Sequence, residues 1–268
     1  MKKIKQPVAT YVILGICILI NIAITFFNFS TETETAILLG AYYKSFIIAG
    51  EWWRMLTCGF VHISIWHLFM NGISLLNLGT LFENRFGVLR YLIILFASVI
   101  GGSVFSFCME GNIVAVGLSG GLYGLMGGYI ILVILNGMIK RPDVLTQLIR
   151  VILINVMINF MPGIAVSAHL GGFLFGMVLT ALFAEAEKKT KIHMAVAAAA
   201  LVGLSAFAVT KRTDIRVDQV YLLSDYRILE KEKEFGFSSH AYHMAEKLDK
   251  IYGTGNMLKT MLEEGYDS

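Results

Sequence analysis

The 268-residue chain is 56% hydrophobic and only 15% charged, with a formal net charge of +3 and a mean hydropathy of +0.69. An average soluble domain carries about 25% charged residues. The composition therefore excludes an ordinary soluble enzyme, a disordered chain and a disulfide-rich secreted domain, and fits several membrane spans.

Charge is unevenly spread: residues 211–268 hold 9 Lys/Arg against 11 Asp/Glu, leaving 13 against 8 for residues 1–210. A tail without a basic surplus gives no ground for nucleic-acid binding. Lys2, Lys3 and Lys5 before an apolar run resemble a secretory leader. That run is about 20 residues, long enough to stay as a span.

In chain order, apolar runs predict helical spans near 9–28, 61–82, 89–109, 117–135, 145–161, 167–184 and 194–210. Only helices and closed barrels satisfy their backbone in lipid, so the fold class is all-α, a polytopic membrane helix bundle. The fifth span is weak, carrying Gln147, Arg150, Asn155 and Asn159, and the seventh is Ala-rich. The expected organisation is a cytoplasmic N-terminus (1–8), a six-helix core (9–184), a linker with a seventh span (185–210) and a polar helical tail (211–268). Segment 29–60 is too long for a simple connection; its Trp52, Trp53 and Arg54 predict short helices at the outer membrane surface. In the tail, helices are expected near 217–234 and 239–252, broken by Gly236 and Gly253. The mixed-charge run from Glu230 to Glu234 reads as a solvated helix face. Cys17, Cys58 and Cys108 read as small buried hydrophobes.

Short-loop charge sets orientation. Lys2, Lys3 and Lys5, then Arg85 and Arg90, then Lys140 and Arg141, then Lys188, Lys189 and Lys191 all fall on one side, assigned to the cytoplasm. Seven spans put the tail outside; six leave it inside.

Polar groups within spans need a reason. Span 4 opens with Gly117, Ser119, Gly120 and Tyr123, span 6 with His169, and span 2 with His62, His67 and Asn71. This topology places Ser119, His169, His67 and Asn71 at one depth, just inside the outer leaflet. Ser119 and Tyr123 share a helix face, as do His67 and Asn71, whereas His62 should point elsewhere. Gly120, Gly124 and Gly128 form one small-residue strip, and Gly172 and Gly176 another. Such strips let backbones approach closely; if these two meet, Ser119 and His169 come within hydrogen-bond reach.

A Ser–His pair is the minimum for nucleophilic acyl transfer, with neutral His169 taking the Ser119 proton. Glu32, Glu34, Glu51 and Glu110 are the acids near that end, none in a suitable motif, so a dyad is expected rather than a triad. Ser119 lies in the first turn of its helix, where free N–H groups favour an oxyanion. His67 and Asn71 add donors for the same charge. Each residue alone has a blander reading: Gly-x-Ser-Gly as packing, His169 as an interior histidine, His67 and Asn71 as interhelical glue, Tyr123 as core, the tryptophans as anchors. Their coincidence at one depth favours a site. A zinc site is disfavoured because His-Glu-x-x-His is absent and His62 and His67 are five apart. No metal or other cofactor is expected.

These residues resemble the rhomboid family of intramembrane serine proteases. Gly117-Leu118-Ser119-Gly120 with Tyr123 resembles the family's nucleophile motif, and Ala168-His169 with Gly172 and Gly176 its histidine helix. His62, His67 and Asn71 match a third motif, the Trp53–Arg54 pair a fourth, and Glu83 beside Arg85 the family's acidic residue at the cytoplasmic end. Cys58 departs at a position that can be histidine. The resemblance spans roughly residues 50–180 and implies a six-helix rhomboid core plus a seventh C-terminal span. It implies Ser119 as nucleophile, His169 as base, and His67, Asn71 and the Ser119 N–H as oxyanion hole. Tyr123 would hold the His169 ring, His62 would be structural, and span 5 with loop 162–167 would gate and cap the site.

The implied activity is cleavage of single-pass membrane proteins near the outer face, in a plasma membrane, bacterial by the Lys-rich start, with the site open to the extracytoplasmic side. Partners are then those substrates and membrane lipid. The alternative is a non-catalytic rhomboid-like protein that binds membrane helices or acts as their chaperone. A transporter is disfavoured because no charged relay crosses the bilayer.

Overall fold

The computed structural model describes residues 6–27, 31–160, 163–184, 188–211 and 219–265. Lys2, Lys3 and Lys5 of the orientation argument lie outside the described residues. So do 161–162 beside the expected cap, 212–218 in the tail, and the side chains of Lys188 and Lys189.

The fold is an all-α membrane bundle. α1 (Val8–Phe26) is followed by the long first connection, built from α2 (Glu32–Leu38), α3 (Lys44–Ile48) and α4 (Arg54–Thr57). Within it, Tyr42–Tyr43 (β1) pairs antiparallel with Val114–Ala115 (β2). α5 (Ile65–Ser74) runs through a π turn at Leu75–Gly79 into α6 (Thr80–Phe86). Then come α7 (Val88–Met109), α8 (Ser119–Leu135), α9 (Pro142–Ile158), α10 (Val166–Phe183) and α11 (Lys188–Lys211). Among the described residues, five helical stretches are long and apolar enough to cross a membrane: Val8–Phe26, Ile65–Phe86, Val88–Met109, Val166–Phe183 and Thr190–Thr210. α8 is a shorter apolar helix. The second crossing starts at Ile65, because Ser64 is still extended, so His62 lies before the helix rather than on it.

α7, α8 and α10 form the close-packed centre, joined through buried glycines and serines. α9 is peripheral, with Leu148 its one buried residue, and over 190–210 α11 has none. At the Arg85 end, Glu83 reaches back to the first turn of α1. Its carboxylate accepts from the Ala9 N–H at 3.0 Å, the Thr10 N–H at 2.9 Å and the Thr10 hydroxyl at 2.8 Å. A buried acid is thereby paired with the orphan donors and positive dipole end of a helix.

α8 is recessed at the opposite end. Gly102 of α7 lies beside Gly120, yet α7 runs on to Met109, about 10 Å further at 1.5 Å per residue. α8 begins one residue before Gly120, at Ser119.

The tail forms α12 (Gln219–Glu234), α13 (Ser238–Tyr252) and α14 (Met257–Glu264). Gly236 (φ +90°) and Gly253 (φ +69°) take the left-handed backbone that ends each of the first two. Asp249 starts α14, its Oδ1 accepting from Leu258 N–H at 3.0 Å and its Oδ2 from Lys259 N–H at 3.1 Å. The tail docks on the first connection: Leu222, Tyr226, Leu229, Met244 and Leu248 share one core with Ile37, Tyr43 and Phe46. At its edge His240 Nε2 lies 3.2 Å from Glu51 and Arg227 lies 3.7 Å from Glu34. The Glu230–Glu234 run is not simply a solvated face. Glu230 accepts from Tyr226 at 2.6 Å, Glu232 pairs with His240 at 2.9 Å and Lys233 donates to the Leu262 carbonyl at 2.6 Å. Short amphipathic helices find such partners only in the tertiary fold. Twenty-four residues of α11, about 36 Å, carry the chain back to the Ser119 end.

Asp225 sits at the centre of this docking. Its Oδ2 accepts from the Tyr252 hydroxyl at 2.7 Å, and Tyr43 faces it from the first connection. Burial pushes its carboxyl up to about 7, and pushes the Tyr43 and Tyr252 hydroxyls up as well. An acid raised on folding stabilises the fold fully below its unfolded value near ~4, and that contribution is lost as pH rises through the folded value. Hydrogen exchange should therefore show α12 and α13 better protected at pH 5 than at pH 8, after correction for intrinsic rates. In Asp225→Asn the difference should shrink; since His240 with Glu51 and Glu232 is unchanged, the loss isolates Asp225. An equal pH dependence in both proteins would contradict the burial.

Candidate active site

The turn into α8 is set by Gly117, whose φ of +111° suits glycine. Its N–H donates to the Cys58 carbonyl at 3.0 Å. A Cβ there would lie 2.5 Å from His67 Cε1 and 3.6 Å from Asn71 Nδ2, so Gly117 leaves room for the two side chains that flank the turn. His67 and Asn71 sit one turn apart on α5, and Asn71 Nδ2 donates to the His67 carbonyl at 3.1 Å.

Ser119 opens α8, and its partner comes from α10 because the two backbones nearly touch. A Cβ at Gly172 would lie 1.9 Å from the Gly120 carbonyl oxygen, and one at Gly176 would lie 2.1 Å from that of Gly124. α7 closes on the same place: Gly102 faces the Ala168 carbonyl, and Ser106 Oγ lies 3.0 Å from Ser167 Oγ. This packing brings His169 Nε2 to 2.9 Å from Ser119 Oγ. His169 is buried, 5% exposed. Tyr123, one turn below Ser119, stacks on its ring with centroids 3.9 Å apart and planes 10° from parallel.

The candidates separate into two groups. Ser119, His169, Tyr123, His67, Asn71, Gly117 and Gly120 meet at the recessed end of α8. Arg54 does not reach them. It is buried inside the first connection, paired with Glu51 and donating to the Ile37 and Ala41 carbonyls. Its guanidinium lies over Phe46 at 5.0 Å and over Trp53 at 4.6 Å, while Trp52 and Trp53 stay half exposed. Glu83, on α6, is at the far end, bonded to the first turn of α1.

His62 corrects the helical-face argument. Lying before α5, it does not follow the helix period, and its ring meets His67 edge-on at 5.0 Å. Its Nδ1 faces the Phe60 carbonyl at 3.4 Å, and its Nε2 lies 3.5 Å from the Leu118 N–H, steadying the turn into Ser119. Among the described residues no three His, Cys, Asp or Glu are grouped to hold a metal ion.

Sequence reasoning missed two contributors. Ser98 and Gly102 of α7 face α8 and α10 at the same four-residue spacing as the other strips, continued by Ser106 against Ser167, so the signal was present and unread; Gly101 beside them faces Phe175. Asn159, just after α9, lies 2.6 Å through Oδ1 from His169 Nδ1. Its signal was a polar residue at the outer end of a weak span.

Comparison with known proteins matches the family model described as Rhomboid domain to residues 49–186, a range that holds all of these residues. Rhomboid protease GluP of Bacillus subtilis (strain 168) is 34% identical over 177 residues, 66% of this chain and 35% of the relative. RHOMBOID-like protein 5 of Arabidopsis thaliana is 38% identical over 146 residues, 53% of this chain and 47% of the relative. Inactive RHOMBOID-like protein 8 of Arabidopsis thaliana is 32% identical over 137 residues, 50% of this chain and 39% of the relative. The chain thus spans about a third to a half of the length of these relatives.

The backbone contact can be tested directly. Gly172→Ala puts a methyl into a carbonyl that has no side chain to swing aside, and should cost about 1–3 kcal/mol of stability. Gly203→Ala, where nothing lies within 4 Å, should be near neutral. Thermal unfolding in detergent measures both; equal melting temperatures would contradict the α8–α10 approach.

Proposed function

The chain belongs to the rhomboid family, and from that premise we propose that it is an intramembrane serine endopeptidase with Ser119 as nucleophile and His169 as general base. The observation that carries the reading is the 2.9 Å contact between Ser119 Oγ and His169 Nε2. His169 Nε2 takes the hydroxyl proton as Ser119 Oγ attacks the scissile carbonyl carbon. The tetrahedral oxyanion is met by the Ser119 N–H at the start of α8 and by donors from His67 and Asn71. His169 then passes the proton to the leaving amine, and the acyl–Ser119 ester is hydrolysed by a water that His169 activates in turn.

Hydrolysis needs water, which the bilayer core lacks. The recess above Ser119 supports a wet cavity open to the extracytoplasmic side of a plasma membrane. Substrates are single-pass membrane proteins that unwind near that face, since an intact helix hides its carbonyls in internal hydrogen bonds. The tail shares the docking end with the site, so it lies outside as well. The second reading, a non-catalytic protein that binds membrane helices, draws on the relative named as inactive; the close Ser119–His169 pair favours the enzyme.

The test is cleavage of a labelled single-pass reporter in proteoliposomes. Wild type should release a fragment, and Ser119→Ala and His169→Ala should lose on the order of 10³-fold or more in rate. Cleavage by Ser119→Ala at the wild-type rate would overturn the assignment. Capture of the reporter by folded wild type without any cleavage would establish the binding reading.

A further inference from the structure

We infer that Asn159 is a positioning residue that fixes the tautomer and the angle of His169, so that the Ser119–His169 pair is held in its working form. The inference rests on the protease reading for its kinetic consequence, but not for its geometry. His169 is bonded at both ring nitrogens: Nε2 lies 2.9 Å from Ser119 Oγ and Nδ1 lies 2.6 Å from Asn159 Oδ1. An amide oxygen accepts only, so Nδ1 carries the proton and donates it to Asn159. Nε2 is then left with a bare lone pair aimed at the Ser119 hydroxyl, the form a general base requires.

Tyr123 completes the support. Its ring stacks on the imidazole at 3.9 Å, while its hydroxyl lies within donating reach of the Asn155 carbonyl at 3.0 Å and Asn159 Oδ1 at 3.3 Å. The imidazole is thus fixed on one face by Tyr123 and at its edge by Asn159, and Asn159 is tied to Tyr123. The side-chain amide of Asn155 is engaged elsewhere, donating to the Val151 carbonyl at 2.8 Å, which leaves Asn159 as the side chain at Nδ1.

A packing role explains little here. α9 contributes one buried residue, Leu148, at a distance along the helix from Asn159, and Asn159 itself is half-buried. What its side chain touches is the imidazole and the Tyr123 hydroxyl. The bond also makes the alignment of the base depend on where the end of α9 sits. The opposite amide orientation would place an N–H against Nδ1, force the ring proton onto Nε2 and block the serine. The two arrangements therefore differ in a measurable quantity, the tautomer of His169.

The experiment uses the full chain in detergent or proteoliposomes with three variants, Asn159→Ala, Asn159→Leu and Asn159→Asp. In ¹⁵N-histidine NMR, with His169→Gln identifying the signal, wild-type His169 should carry its proton on Nδ1. Asn159→Ala and Asn159→Leu should shift it to a mixture of tautomers. On the single-pass reporter, both variants should lose about tenfold in kcat with KM unchanged, the loss expected when one orienting hydrogen bond of about 1.4 kcal/mol goes. Asn159→Asp keeps an acceptor at the same place and should recover most of kcat. Its carboxylate favours the imidazolium, so the acidic limb of its pH–rate profile should move to higher pH. A proton on Nε2 in wild type, or wild-type kcat in both Asn159→Ala and Asn159→Leu, would overturn the inference. Should Ser119→Ala cleave as wild type does, the protease reading fails alone, and the tautomer measurement still decides the place of Asn159.

Discussion

The architecture at the Ser119 end depends on one contact, the approach of the α8 and α10 backbones through Gly120, Gly124, Gly172 and Gly176. Lipid supplies no hydrophobic drive between helices, so association rests on dispersion at close range, and only glycine allows backbones this near. The cost is lost side-chain volume and weak local helix propensity. The gain is position: Ser119 and His169, fifty residues apart in sequence, are brought to 2.9 Å by two rigid helices. A methyl at Gly172 or Gly176 would run into the Gly120 or Gly124 carbonyl and force the two backbones apart.

The second constraint is that polar groups in an apolar bundle must find partners within the chain. Glu83 caps α1, Asn21 donates to the His62 carbonyl at 2.7 Å, and Ser103 donates to the Met55 carbonyl at 2.8 Å. The last two bonds tie the first connection to α1 and α7, and the bond from Gly117 N–H to the Cys58 carbonyl ties it to the turn that presents Ser119. Arg54, buried among carbonyls and Glu51, is the centre of that connection. The tail then covers the connection's outer side, so the frame around the site is fixed from within the bundle and from above.

Much of this was legible in the sequence because membranes restrict the possibilities. Apolar runs set the helices, alternation of crossings put Ser119, His169, His67 and Asn71 at one end of the bundle, and four-residue spacing exposed the glycine strips. Three things were not legible, each for a physical reason. Periodicity assigns a face but not a neighbour, so the meeting of Asn159 with His169 was hidden. His62 was placed by helical spacing although Ser64 had already fixed the helix start. The docking of α12–α14 left no motif, because its core is an ordinary set of Leu, Tyr and Met side chains, and Asp225 is one acid among eleven in that tail.

The central claim is that Ser119 is an activated nucleophile made so by His169. Its most direct measurement is the mass of the Ser119 peptide after purified protein is treated with a small fluorophosphonate, compared between wild type and His169→Ala. The account predicts a single adduct on Ser119 in wild type and none in the variant. An unlabelled Ser119 in folded wild type, or equal labelling without His169, would contradict it.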